Sequence, residues 1–588
     1  MTLNEHITIP LPGQVELLPD SRFSERYQGN ISYLKHLHDH SGEFMLEAFA
    51  SRHYSPGKLL ERIWDGEYAG KWLDAATQAA LNSDDQGFIA MVDGFAAKLR
   101  GYQQSNGFMG EPLPTDRELN AWETGWNVWV QWTCLIGLLT HYELQNEPRS
   151  LACATRIGDW IMQTYHPVDS NEASFIAQGH GFTNVAVINQ MMRLYQHTGN
   201  EALCDFVEGV IQYFEPLRNM METGQPHIAH PYMLGAVLTG MVDLAVARND
   251  QDSFDIIVGI WRALVNIHQF PTGSLGENEN LYEGPLVDNP DGKLQETCAT
   301  TEWIFLTQRL FEITGDAEFA EALEKTAYNA LLGAQSDDGM KWCYYTPLRH
   351  SKHFFHGPTR CCFWSGPRGI VRIPSMIYAS RNNEIYVNIF DSSTATLNTP
   401  DGNVNLRQQS EFPENGTSRI ELSASADWAG TLRVRIPTWC ENYTITHDQQ
   451  VYEHSPLDGY ASIEIKGADN YIVEVNFEIP LSKVLLSEDN YALKRGVEVL
   501  SIDLRDNNDT WIGTSDLISI PDEIEIHPTI QKDPWPGFKQ TPKRRRYSIR
   551  LNDRRTTEGM DFIFTPYADA GNDGAAFRTV FPLTQTSD

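Results

Sequence analysis

Two short runs hold the side chains most able to do chemistry: Glu296-Thr297-Cys298 and the vicinal pair Cys361-Cys362. Three thiols and one carboxylate form a four-ligand set that zinc accepts. Glu296 and Cys298 are two residues apart. That spacing separates them on a helix but brings them to one side of an extended segment, which is where the pattern places them as the chain enters a helix. Cys361-Cys362 follow the irregular run His356-Gly357-Pro358-Thr359-Arg360 and are expected on a loop. The competing reading of the same residues is a set of separate, small, buried thiols that only pack.

A second candidate is the loop Thr272-Gly273-Ser274-Leu275-Gly276-Glu277-Asn278-Glu279-Asn280, with Glu283 close behind. Carboxylates on such a loop can border a cleft and act as acid or base, but they also occur in ordinary turns. His227 and His230 are three apart near Pro231-Tyr232, and His230 is a candidate either for bonding a sugar or for the core. His36, His38 and His40 fall around a helix and cannot all face one ion. Trp122, Trp126, Tyr344 and Trp364 could stack on sugar rings, although most aromatics in a helical barrel are core.

The elements that must position these residues change character along the chain. From about residue 30 to 335 the apolar spacing is helical, as in Trp72, Ala75, Ala76, Ala79 and Ala80, or Val128, Trp132, Leu135 and Leu139. Arg193-Leu194-Tyr195-Gln196-His197-Thr198-Gly199-Asn200 recurs as Arg309-Leu310-Phe311-Glu312-Ile313-Thr314-Gly315-Asp316. A repeated helical hairpin is the unit from which a toroid of paired helices is built. After about residue 375 the pattern alternates, as in Ile385–Phe390, Thr431–Ile436 and Tyr471–Phe477, with turn signals between. The expected organisation is a helical domain over 1–375, then β-sandwich domains over 376–490 and 491–588.

Composition limits the function. The chain has 588 residues, 45 Lys plus Arg against 78 Asp plus Glu, and a net charge of −33. That balance argues against nucleic-acid and anionic-membrane partners. The basic run Lys543-Arg544-Arg545-Arg546 reads as a solvated or ion-paired edge. Eight cysteines are too few for a disulfide scaffold. Neither a secretory signal nor an apolar stretch of membrane-spanning length is seen, so a cytoplasmic protein is expected, alone or as an oligomer of identical chains.

With these motifs in view, the chain resembles glycoside hydrolase family 127, the β-L-arabinofuranosidase family. Glu296-Thr297-Cys298-Ala299 with Cys361-Cys362 resembles its zinc motif. Thr272–Gly276 resembles its Gly-rich acid loop, and Trp64-Asp65-Gly66-Glu67 with Lys71-Trp72-Leu73 its early barrel helix. Tyr344-Tyr345-Thr346-Pro347-Leu348, Arg435–Cys440 and Lys494–Val497 give further support. The resemblance implies an (α/α)6 barrel followed by β-sandwich domains, and retaining hydrolysis of a glycan with a cysteine nucleophile. Carried onto this chain, Cys361 would be the nucleophile. Zinc would be held by Glu296, Cys298, Cys361 and Cys362, and Glu279 would be the acid/base ahead of Glu283 and Glu277. His230, Tyr344, Glu283 and Trp364 would meet the substrate. A largely apolar barrel is expected to raise the acid's pKa. After the Cys-Cys pair this chain reads Phe363-Trp364-Ser365-Gly366-Pro367-Arg368 where the family has a Pro-Pro-Asn type continuation, so a related sugar is also compatible. The rival classes are an unsaturated uronyl hydrolase or sugar epimerase, neither needing zinc, and a non-catalytic carbohydrate-binding protein with structural zinc.

Overall fold

The computed structural model describes residues 3, 6–50, 64–110, 121–165, 180–282, 292–425, 427–447, 450–452, 456–466, 470–487, 490–507, 518–519, 526–528, 545–553 and 559–582. Its first part is an (α/α)6 barrel. The inner helices Glu67–Asn82, Ala121–Gln145, Ile188–Thr198 (entered through the 3-10 turn His180–Val187), Pro231–Arg248, Thr297–Thr314 and Cys362–Ile370 pack in that order and close on themselves. Ser24–Ala50, Gln86–Arg100, Pro148–Thr164, Glu201–Tyr213, Gln251–Ala263 and Ala317–Thr326 form the outer layer. Burial separates the layers. Pro231–Arg248 is buried on nearly every side, whereas Pro148–Thr164 buries one stripe through Cys153, Ala154, Ile157 and Ile161.

The sequence repeat marks equivalent corners of this toroid. Two inner helices end at Gly199 and Gly315, both left-handed with φ of 63° and 73°, and the following outer helices begin at once. Arg193 pairs with Glu143, and Arg309 with Asp243 at 2.6 Å, so the repeated arginines tie neighbouring helices at the same end of the barrel.

Two β-bodies follow. A seven-stranded sheet and a four-stranded sheet, built mainly from Tyr378–Phe477, form a sandwich. The edge of the larger sheet is the N-terminal strand Val15–Leu17, antiparallel to Ser393–Thr399. The last body is a ten-stranded sheet that starts at Leu481–Ser487, earlier than the expected division at 490, because that strand pairs with Asn490–Arg495. It also takes in Arg349–Ser351 from the barrel's closing segment, paired with Ala576–Arg578. Arg545 and Arg546 of the basic run are ion-paired, with Glu498 and Asp506. Among the described residues, no helix is long and apolar enough to cross a membrane.

The first and second inner helices make a very close crossing. A Cβ built on Gly70 would lie 1.8 Å from the carbonyl oxygen of Thr133, and one on Gly137 2.5 Å from that of Gly70. Only glycine permits this approach between two backbones. Gly70→Ala must therefore push the helices apart, at a cost of about 3 kcal/mol. Chemical denaturation should show a loss of unfolding free energy of that size relative to the unaltered chain, whereas Gly94→Ala, where a Cβ meets open space, should not destabilise.

Candidate active site

The N-terminal ends of the inner helices converge, and the candidate residues stand there. Glu296 is the last residue before helix Thr297–Thr314, with φ −54° and ψ 132°, and it forms an isolated bridge with Tyr345. This extended geometry lets Glu296 and Cys298 turn to the same side. Cys361 immediately precedes helix Cys362–Ile370 and Cys362 is its first residue, so the pair sits at a helix start rather than in the middle of a loop. Cys362 Sγ lies 3.4 Å from Cys298 Sγ and 3.4 Å from Glu296 Oε1. Cys361 Sγ is 3.9 Å from Glu296 Oε1 and 4.0 Å from Cys362 Sγ. The four donor atoms lie within 4.8 Å of one another and could hold a metal ion. Three of the residues are buried and Cys361 is partly open.

Packing four acidic groups together forces their protons to redistribute. Burial pushes Glu296, Cys298 and Cys362 well above their ordinary values, and for Glu296 the neighbouring Cys361 charge adds to the rise. Cys361 goes the other way, well below an ordinary thiol, because Cys298 and Cys362 donate to its sulfur. Among the described residues, Glu296 Oε2 is buried with no hydrogen-bond partner.

Glu279 stands beside this cluster at the tip of a tight turn. Glu277 and Asn280 pair, and the central residues Asn278 and Glu279 have φ of 47° and 62°. This is the geometry of a type I′ turn, whose second central position favours glycine. A glutamate held there keeps backbone strain of about 1 kcal/mol in place at the site. Its carboxylate accepts from Tyr344 Oη at 2.7 Å and Tyr345 Oη at 2.8 Å, with His230 Nε2 at 3.7 Å. Together His230 and the two hydroxyls hold Glu279 below the usual carboxylate range, against the effect of burial. The rise expected from an apolar barrel is thus reversed, because the hydrogen bonds favour the ionised form. Tyr344 also reaches the thiols, since its oxygen lies 3.6 Å from Cys361 Sγ.

The structure therefore brings together Glu279, His230, Tyr344, Glu296, Cys298, Cys361 and Cys362. Glu277 opens the turn that carries Glu279, bridged to Asn280. Glu283 and the side chain of Trp122 lie outside the described residues. Trp364, expected at the sugar, is only 1% exposed; it stacks on Tyr68 with ring centroids 5.1 Å apart and donates from Nε1 to the Pro358 carbonyl. Buried in this way, it has almost no surface to present to a ligand. Sequence reasoning missed the second hydroxyl on Glu279, that of Tyr345. It quoted Glu67 and Lys71 only as part of the early barrel helix and gave them no role, although they stand one turn apart on a helix that is mostly buried. Charged residues on such a face were the available signal.

Residues 14–375 match the model of the β-L-arabinofuranosidase GH127 catalytic domain, and residues 384–479 match the GH127 middle domain. A non-reducing end β-L-arabinofuranosidase of Bifidobacterium longum subsp. longum is 21% identical over 513 residues, 75% of this chain and 76% of that protein. Among solved structures, a GH127 β-arabinofuranosidase superposes with a TM-score of 0.81 at 20% identity, covering 99% of each chain. A GH127 β-L-arabinofuranosidase from Geobacillus stearothermophilus T6 gives 0.78 at 18% identity, covering 97% of this chain and 100% of that one. The barrel and the sandwich agree with these folds, and the catalytic-domain model alone spans more than half of the sequence: the chain belongs to the GH127 β-L-arabinofuranosidase family of glycoside hydrolases.

Proposed function

We propose that the chain is a zinc-dependent retaining exo-glycoside hydrolase with Cys361 as nucleophile and Glu279 as acid/base, releasing a terminal β-L-arabinofuranose or a closely related sugar. The observation that carries this reading is the single hydroxyl of Tyr344, in contact with both groups at 2.7 and 3.6 Å. Bridging by one oxygen keeps Glu279 Oε1 and Cys361 Sγ closer than the ~6.5–9.5 Å that inverting enzymes leave for a water. Direct attack by the sulfur is the chemistry this spacing suits. The name of the Bifidobacterium relative supports removal of a sugar from a non-reducing end.

The donor set fits zinc. A tetrahedral ion with metal–sulfur bonds of ~2.3 Å has sulfur–sulfur edges of about 3.8 Å. The sulfur–sulfur separations of 3.4 Å between Cys362 and Cys298 and 4.0 Å between Cys361 and Cys362 bracket that value. Glu296, Cys298, Cys361 and Cys362 would hold the ion, and when bound it would keep the sulfurs deprotonated.

The chain's own residues supply the rest. The Cys361 sulfur bonds to the anomeric carbon as the bond to the leaving oxygen breaks, and Glu279 gives that oxygen its proton. Glu279, now ionised, takes a proton from water. The resulting hydroxide displaces the sulfur, which regenerates the thiolate and leaves Glu279 protonated for the next turnover. Tyr344 orients both partners, and His230 and Tyr345 fix the carboxylate. Positive charge developing on the ring meets Glu279 and Glu296.

Three outcomes follow for measurement. Cys361→Ala should lower kcat/KM on an aryl β-L-arabinofuranoside by roughly 10³-fold or more while zinc stays bound at reduced affinity; full activity would rule out the nucleophile. Glu279 must be protonated in the first step, so turnover falls as pH rises past its pKa. Tyr344→Phe removes a hydrogen bond from the ionised form, raises that pKa and moves this limb of the kcat/KM profile to higher pH, with a rate loss of about tenfold. In the metal-free chain Glu296, Cys298 and Cys362 retain protons that the ion must expel. Zinc affinity, read by competition with a chelator, should therefore rise with pH and be accompanied by proton release.

A further inference from the structure

Beside the thiol cluster, the first turns of helix Glu67–Asn82 carry a buried charged pair that the hydrolysis scheme leaves unused. Lys71 is fully buried and donates to Glu67 Oε2 at 3.1 Å. Trp129 Nε1, from the next inner helix, donates to the same oxygen at 2.7 Å. The ammonium lies over the rings of Trp129 and Tyr232, at 5.6 and 5.1 Å. Oε2 is thus clamped from two sides. Both donors go to Oε2 and neither to Oε1. A carboxyl group fixed through one oxygen can still bond through the other. Tyr68, the next residue along, stacks on Trp364 two positions past Cys362, and Lys71 lies over Tyr232 two positions past His230, so the pair stands at the end of the barrel that carries the thiols. Trp129 continues through Trp126 to Trp64, with ring centroids 5.9 and 5.4 Å apart, and the last two rings are half-buried. An aromatic wall ending in a carboxylate is well suited to a sugar, which presents one apolar face and a rim of hydroxyls.

We propose that Glu67 is a specificity-determining residue of the glycone site, accepting one sugar hydroxyl on Oε1 while Lys71 and Trp129 hold Oε2. The inference rests on the glycosidase reading and adds a residue to it. Lys71 acts at one remove, as a positioning residue: it fixes the rotamer of the carboxyl group and partly offsets the burial that pushes its pKa up to about 7. A hydrogen-bonding group held in one place at the site selects strongly against a ligand that cannot satisfy it.

The test compares an aryl β-L-arabinofuranoside with its 2-, 3- and 5-deoxy analogues on the unaltered chain, on Glu67→Gln and on the double variant Glu67→Met/Lys71→Met. The double variant removes both charges and leaves neither buried alone. For the unaltered chain, loss of one particular hydroxyl should lower kcat/KM by about 100-fold or more. In the double variant the penalty at that position alone should shrink below about tenfold, with zinc content unchanged, and Glu67→Gln should fall between the two. If the double variant does not fold, Glu67→Gln alone must still reduce the penalty. Deoxy penalties that remain the same in the variants would overturn the proposal while leaving the glycosidase reading intact. Loss of zinc from both variants would also overturn it, assigning the pair to upkeep of the cluster. No cleavage of the parent glycoside by the unaltered chain would overturn the arabinofuranoside reading, and this inference with it.

Discussion

Mutual repulsion among four acidic groups, all within 4.8 Å, is the constraint on which the rest of the site depends. At that range two like charges cost roughly 4 kcal/mol even in a moderately polar interior. Without a cation the cluster can hold one anion, and the geometry selects Cys361, whose sulfur receives hydrogen bonds from its neighbours. The surroundings help. Two inner helices, Thr297–Thr314 and Cys362–Ile370, begin at the cluster and present the positive ends of their dipoles to it. Lys71 adds a full positive charge that acts on Cys298 and Cys361.

The same electrostatics explains what could and could not be read from the sequence. The vicinal Cys361-Cys362 pair with Glu296-x-Cys298 is a rare local pattern, so the cluster was legible from residue types alone. Layering of the barrel was legible too. Apolar periodicity and the Thr-Gly corners at Gly199 and Gly315 are local signals that survive folding unchanged. The direction of the shift on Glu279 was not. It depends on Tyr344, Tyr345 and His230, which arrive from two other segments, and burial alone predicts the opposite sign. Trp364 misled for a related reason. Its neighbours in sequence are site residues, but its ring points at Tyr68, and no periodicity over so short a helix separates the two faces. The early start of the last sheet at Leu481 follows from strand pairing, which one strand's own residues do not reveal.

Support for the site comes from far along the chain. Gln295, next to Glu296, bonds Thr272 and the Thr346 carbonyl, and Tyr567 donates to both the Thr346 and Pro347 carbonyls, at 3.0 and 2.9 Å. Lys352 is buried and donates to the Tyr567 carbonyl at 2.7 Å. The last sheet thus braces the strap that carries Tyr344 and Tyr345. Arg435 of the sandwich forms a buried ion pair with Glu324 at 2.6 Å and so braces an outer helix. Both β-bodies therefore act on the barrel through buried polar contacts, which fix position more narrowly than apolar packing does.

Val15–Leu17 has a consequence for the order of events during synthesis. This strand emerges from the ribosome before any barrel helix, yet its partner Ser393–Thr399 is made only after the barrel is complete. Its backbone hydrogen-bonding groups must wait through the production of the entire helical domain. Ring closure and capping of the sandwich edge are then tied to one late event. A nascent chain released early would carry an open strand edge, the feature most prone to pairing with a second chain.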